Sequence, residues 1–210
     1  EILLKISYSA GKMTSKINVE VNRKLLHMFL GVALVAFLMF GIVGKEHLFG
    51  LLVIMLAVSV LSRKYDIPLI SWLLRNFERE DYVKKFPGRG FIFYIIGSLL
   101  VLAFFPMDIA MPAILVLAFA DSIGHLFGIR YGKIRHPYVK TKFIEGWVAG
   151  LVAGFIAAFV FVPWHEALAA SFFAMLVEGI EVKIGVDDID DNLIIPLVAA
   201  IAIWSVRYFF

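Results

Sequence analysis

Apolar residues fall in seven long blocks separated by short polar breaks, at residues 25–43, 48–61, 91–105, 109–129, 146–162, 167–184 and 193–210. Each block reads as a membrane-crossing helix, because the hydrocarbon core of a bilayer asks for about 20 largely apolar residues per crossing. The block at 48–61 is short and must draw on its flanks or thin the bilayer locally. One excursion interrupts the series. After Asp66-Ile67-Pro68, a helix-start signal, Ile70, Leu73, Leu74 and Phe77 recur at helical spacing against Arg75, Glu78, Arg79 and Glu80. That pattern predicts an amphipathic helix lying on the membrane, either a connector or a lid over a lipid site. Residues 1–24 are basic and only partly apolar, which predicts an N-terminal interfacial segment ahead of a transmembrane domain at 25–210. The predicted fold class is all-α: a polytopic membrane helix bundle of about seven transmembrane helices plus the amphipathic interfacial helix.

Composition agrees with the pattern. The chain is 61% hydrophobic, with a mean hydropathy of +0.90, which excludes an ordinary soluble domain. It has no cysteine, so disulfide and thiol chemistry are absent. The net charge of +3 is small, and nothing in it calls for a nucleic-acid partner; where the charges lie says more. Seven crossings put the N-terminus and the loops after the second, fourth and sixth blocks on one face. Nearly all Lys and Arg fall there, so that face is expected to be cytoplasmic. Arg23, Lys24, His27, Arg89, Arg130, Lys133, Lys142, Glu145, Asp190, Asp191 and Asn192 can all converge on it, while the opposite loops are nearly bare. A transporter is expected to show internal duplication, and no convincing repeat is present.

Three stretches carry candidate chemistry. Asp121 is an ionisable residue inside an apolar block, a functional candidate by default, with a hydrogen-bonded structural role as its alternative. Beyond it come Gly124, Gly128 and Gly132, interleaved with Arg130 and Lys133. Glycines and cations in that order suit a phosphate nest; small residues spaced by four equally suit a helix-packing seam, the more frequent use. Lys133, Arg135, Lys140 and Lys142 make the following loop basic. The sixth block ends with Glu178 and Glu181, and Asp187, Asp188, Asp190, Asp191 and Asn192 follow. Carboxylates and an amide oxygen are hard ligands suited to Mg²⁺, or the same residues form a solvated turn in which Asn192 caps the last helix. Lys24 and His27 lie one helical turn apart, facing a headgroup-level site or serving as anchor charges. A basic and an acidic pole on one face are the equipment of phosphoryl transfer. No Walker pattern is present, since Gly128 to Lys133 is too short and lacks the hydroxyl after Lys.

Arg23-Lys24-x-x-His27, Ala120-Asp121, Gly128-x-Arg130-Tyr131-Gly132-Lys133, Lys142-x-x-Glu145-Gly146-x-x-Ala149, and Glu178 followed by Asp190-Asp191-Asn192-x-x-x-Pro196 occur in the order seen in polyprenol kinases. From Arg23 onward the chain resembles dolichol kinase, phytol kinase and the CTP-dependent diacylglycerol kinases. The resemblance implies transfer of the γ-phosphate of CTP to the terminal hydroxyl of a polyprenol or other lipid alcohol, with Mg²⁺ or Mn²⁺, by a multi-pass membrane enzyme able to form oligomers and working at the cytoplasmic face. It implies that Lys133 and Lys142 hold phosphates with Arg130 assisting, that Gly128, Gly132 and Gly146 belong to the nucleotide site bordered by Lys24 and His27, and that Asp190, Asp191 and Asn192 hold the metal. Asp121 or Glu145 would order the acceptor hydroxyl or support the metal. Phe143 and Trp147 depart from the family, which usually has small hydroxyl residues there. The alternatives are a cytidylyltransferase making a CDP-lipid, whose His-Gly-Gly and Asp-Arg signature is absent, and a small cation or lipid transporter.

Overall fold

The computed structural model describes residues 2–139, 141–180, 183–184, 187–188 and 190–209, with side chains from residue 17 onward apart from residues 183–184 and 187–188. Lys140 and Glu181, and the side chains of Asp187 and Asp188, lie outside the described residues. The described chain is helical apart from two short strands. The helices are α1 (Ile2–Met39), α2 (Lys45–Leu61), α3 (Pro68–Phe77), α4 (Glu80–Lys85) and α5 (Arg89–Phe104). They continue as α6 (Met107–Tyr131), α7 (Ile144–Phe159), α8 (Trp164–Glu178) and α9 (Asp191–Phe209). Strands β1 (Lys183–Ile184) and β2 (Asp187–Asp188) pair antiparallel between α8 and α9. Within α1, α6 and α9, residues 17–39, 107–131 and 191–209 are long and apolar enough to cross a membrane, and α5 and α7 are shorter apolar helices.

Several boundaries differ from those read off the apolar pattern. Helix α1 runs unbroken through residue 24, so no helix end separates the basic N-terminal segment from the first apolar block. Helix α8 stops at Glu178, short of residue 184, and the chain turns at Gly179, where a Cβ would meet the His136 ring at 3.0 Å. The expected amphipathic helix is present as α3, opened by Pro68 at its first turn, and it exposes Leu69, Trp72 and Leu73. Glu78, expected on its polar face, is instead buried: its carboxylate accepts the N–H groups of Arg79 at 3.0 Å and Gly90 at 3.4 Å. That bond pair ties the end of α3 to the start of α5.

Helix α6 is the central element. Ala110, Ala113, Ile114, Val116, Leu117, Ala118 and Ala120 are fully buried, which accounts for an apolar block with no polar face. Small residues bring its neighbours close. Against α7, a Cβ on Gly146 would sit 2.5 Å from the Gly124 carbonyl oxygen, and one on Gly150 2.7 Å from the Ala120 carbonyl. Gly97 of α5 admits the Asn192 carbonyl of α9 in the same way. Midway along α6, residues Leu117–Asp121 form a π turn. The extra residue in that wide turn rephases the helix and re-aims Asp121.

Polar residues collect at the two ends of the bundle. At one end Arg207 of α9 binds Glu166 of α8 at 2.7 Å and Asp108 of α6. Glu166, read from the sequence as part of a short turn, is buried there. At the other end α3, α4, Thr141, Lys142 and the end of α8 surround the start of α9 and the polar part of α1.

Candidate functional site

At that second end α1, α4, α5, α6, α8 and α9 enclose a polar pocket of about 360 Å³. Helix α1 contributes Arg23 and Lys24. One turn below, His27 shares their face, as the spacing predicts. Lys24 is buried and forms an ion pair with Asp121 Oδ2, and His27 Nε2 lies 3.9 Å from the same oxygen. Glu20, one turn above Lys24, binds Arg23 at 2.7 Å, Arg79 at 2.7 Å and His125 at 3.1 Å, and so joins α1 to the α3–α4 excursion and to α6.

The opposite wall comes from the loop 132–143 and the ends of α8 and α9. Lys142 Nζ lies 2.7 Å from Glu178 Oε1 and 3.4 Å from Asp191 Oδ2. Burial works against the Lys142 charge, but the Glu178 and Asp191 carboxylates outweigh it and raise its pKa. Asp190 caps α9, accepting the Asn192 N–H at 3.2 Å, and pairs with Arg89 at 3.2 Å. Burial pushes the Asp190 carboxyl up, opposed by the Asn192 N–H and by Arg89. The Arg89 guanidinium also stands 4.6 Å from the Tyr82 ring centroid. Asn192 donates its side-chain N–H to the Gly90 carbonyl at 3.2 Å.

Asp121, Glu178 and Asp191 each offer a carboxylate oxygen, and the three oxygens lie within 4.8 Å of one another. Hard oxygen donors at that spacing fit Mg²⁺ or Mn²⁺, which take one or two carboxylates and fill their remaining positions with waters and phosphate oxygens. Lys24 and Lys142 pair with Asp121 and Glu178. Helix phase separates Asp190, Asp191 and Asn192, the metal set expected from the sequence: Asp191 joins Asp121 and Glu178, while Asp190 is engaged by Arg89 and Asn192 by the Gly90 carbonyl.

Of the residues singled out from the sequence, Arg23, Lys24, Arg89, Asp121, Lys142, Glu178, Asp190, Asp191 and Asn192 line the pocket, and His27 sits beneath it. The others lie elsewhere. Gly128 and Gly146 belong to the α6–α7 seam, and Gly132 accommodates the Phe143 ring. Glu145 accepts the backbone N–H groups of Lys133 at 3.0 Å and Ile134 at 3.1 Å, fixing the loop. Its side chain borders a separate apolar groove of about 1020 Å³ between α1 and α7, with α6 as its floor. Arg130 and Lys133 are exposed beside that loop, outside the pocket lining. Phe143 and Trp147 have structural work: Arg135 stacks 4.3 Å above the Phe143 ring, and the Trp147 indole N–H donates to the Met175 carbonyl at 2.7 Å, tying α7 to α8.

Sequence reasoning passed over Glu20, Glu78, Arg79, Tyr82 and His125 as site residues and left Glu178 without a role. The signal for Glu20 was present, since positions 20, 23, 24 and 27 lie on one helical face. Nothing local points to Glu78 or Arg79, whose place depends on how the excursion folds back over α1.

No family model matches the chain, and no solved structure does. Among known proteins it is 31% identical over 189 residues to an uncharacterized protein of Methanocaldococcus jannaschii, covering 88% of this chain and 92% of the relative. It is 28% identical over 162 residues to CTP-dependent diacylglycerol kinase 1 of Schizosaccharomyces pombe, covering 69% of each chain. It is 24% identical over 222 residues to phytol kinase 1, chloroplastic, of Arabidopsis thaliana, covering 95% of this chain and 70% of the relative.

Proposed function

The chain belongs to the polyprenol kinase family, and from that premise we propose that it transfers the γ-phosphate of CTP to the terminal hydroxyl of a polyprenol-type lipid alcohol at the cytoplasmic face of a membrane. The observation that carries this reading is the pocket itself, where cations from α1, α3–α4, α5 and the loop 132–143 face a cluster of three carboxylates at the end of an apolar bundle. The cations suit a nucleotide triphosphate, and the position of the pocket lets a nucleotide arrive from water while a lipid alcohol arrives from the bilayer.

In this reading α1, α2, α5, α6, α7, α8 and α9 are the seven crossings, and α3 lies at the interface. Lys142, Arg23 and Lys24 hold the phosphates, and Arg79 and Arg89 close the pocket from the excursion and from α5. Asp121, Glu178 and Asp191 would hold the divalent cation. Bound there, it supplies charge screening for the phosphates. The alcohol oxygen forms its bond to the γ-phosphorus as the bond from that phosphorus to the β–γ bridging oxygen breaks. CDP leaves with the bridging oxygen, and the hydroxyl proton passes through a pocket carboxylate to water. Positioning and electrostatics supply most of such a reaction. Arg130 and Lys133, on the exposed side of the loop, draw the nucleotide in rather than touch the transferred group.

The test follows each phosphate of the nucleotide. Purified protein in detergent with Mg²⁺, a prenyl alcohol and CTP should place γ-phosphate label in a lipid phosphate and release CDP, with no α-phosphate label in the lipid. Label from the α-phosphate would mark a cytidylyltransferase, and no transfer from any nucleotide to any lipid alcohol would defeat the kinase reading.

A further inference from the structure

Beneath the pocket floor, on the membrane side of Asp121, two side chains bury polar atoms that lack a hydrogen-bond partner. His27 is 8% exposed and Tyr94 3% exposed. His27 Nε2 and Tyr94 Oη have no hydrogen-bond partner. Their rings meet edge to face with centroids 4.5 Å apart. A buried polar atom left unpaired costs stability, and a phenylalanine in place of Tyr94 would fill the same space without that cost. Gly31 keeps room for the phenol, since a Cβ there would stand 2.9 Å from Tyr94 Oη and 2.4 Å from the Ala118 Cβ. A hydroxyl-bearing side chain accommodated so closely, yet bonded to nothing in the protein, is suited to a ligand.

The surroundings indicate which ligand. Helix α1 packs along α3 and α6, and α5 along α2, α6 and α9, with no extended packing between α1 and α5. His27 and Tyr94 therefore close a side of the bundle that faces the bilayer. Next to His27 on α1, a cleft of about 450 Å³ between α1 and α3 is lined by Leu25, Leu26, Phe29, Trp72 and Phe77, with Asn22 and Asn76. Leu26 precedes His27 and lies one turn from Arg23, and Phe77 precedes Glu78, so the cleft residues neighbour those of the pocket along both helices. A largely apolar cleft on the same helix as an unpaired polar atom and a phosphoryl-transfer pocket matches a molecule with a long hydrocarbon chain and one terminal hydroxyl.

We propose that His27 and Tyr94 form the subsite for the hydroxyl of the acceptor lipid alcohol, with its chain lying in the α1–α3 cleft. The proposal rests on the kinase reading for its substrate class. The hydroxyl donates to His27 Nε2 and accepts from Tyr94 Oη, which holds its oxygen next to Asp121. The α1–α7 groove lies across α6 from the pocket.

The experiment measures equilibrium binding of geranylgeraniol and of dimethylallyl alcohol without nucleotide, by partitioning of tritiated alcohol onto detergent-solubilised protein. Tyr94→Phe should weaken binding of both alcohols about tenfold, the size of one well-placed hydrogen bond, while the melting temperature holds or rises and the KM for CTP stays unchanged. Leu26→Trp, which narrows the cleft, should weaken geranylgeraniol binding and leave dimethylallyl alcohol binding as it was. Equal binding by wild type and Tyr94→Phe, or no alcohol binding by the wild type, overturns the hydroxyl subsite. Loss of dimethylallyl alcohol binding in Leu26→Trp overturns the division between hydroxyl and chain. Tyr94-dependent alcohol binding without phosphate transfer from CTP would uphold the subsite and defeat the kinase reading instead.

Discussion

At the scale of single residues, the neighbouring aspartates Asp190 and Asp191 do different work. Asp191 Oδ2 converges with Asp121 and Glu178 and contacts Lys142, whereas Asp190 caps α9 and pairs with Arg89. Asp191→Asn should therefore lower turnover by about 10²-fold or more, the usual cost of removing a preorganised charge, and raise the Mg²⁺ concentration needed for half-maximal rate. Asp190→Asn should chiefly loosen the start of α9, seen as a lower melting temperature with an unchanged Mg²⁺ requirement. The reverse pattern would move the metal site to Asp190. The basic residues divide in the same way. Lys142 is enclosed by Glu178 and Asp191, and Lys133 is exposed. Lys142→Ala should cost at least about 10²-fold in kcat, and Lys133→Ala less than about tenfold with most of its effect in KM for CTP. The ordered residues themselves were legible in the sequence, but the partner of each was not: whether a lysine points into a pocket depends on a carboxylate more than thirty residues away.

At the scale of elements, the glycines decide between a phosphate nest and a packing seam. Gly150 stands where a Cβ would come 2.7 Å from the Ala120 carbonyl and 2.7 Å from the Met175 methyl. A Cβ on Gly128 would find its nearest neighbour at an ordinary 3.5 Å. Gly150→Ala should accordingly destabilise the protein by about 1–3 kcal/mol through overpacking. Gly128→Ala, inside a helix and without a clash, should be neutral or stabilising by up to about 1 kcal/mol. Thermal melts in detergent read both. If Gly128→Ala keeps its stability but loses CTP affinity, its backbone serves the nucleotide and the seam is not its whole role. The spacing of these glycines allowed either reading, and the α6–α7 approach supplies the physical reason for the seam: two helices meet backbone to backbone only where neither carries a side chain.

At the scale of the whole molecule, the polar ends of the bundle test the seven-crossing arrangement. Tyr138 in the loop 132–143 is 80% exposed, and His165 at the start of α8 is exposed at the opposite end. The chain has no cysteine of its own. Single cysteines at Tyr138 and His165 should react with a membrane-impermeant maleimide from opposite sides, Tyr138 from the cytoplasm; labelling of both from one side would break the arrangement. Sequence alone determined the apolar blocks, the amphipathic excursion and the gathering of charge on alternate loops, because hydropathy and helical period act over a few turns of chain and need no partner. Tertiary structure alone decided that Lys24 pairs with Asp121, that Glu178 joins Asp121 and Asp191, that Glu78 is buried under the excursion, and that His27 Nε2 and Tyr94 Oη are buried without hydrogen-bond partners. Each of those outcomes depends on side chains from different helices meeting in space, and the π turn in α6 and the close glycine contacts set the distances and angles at which they meet.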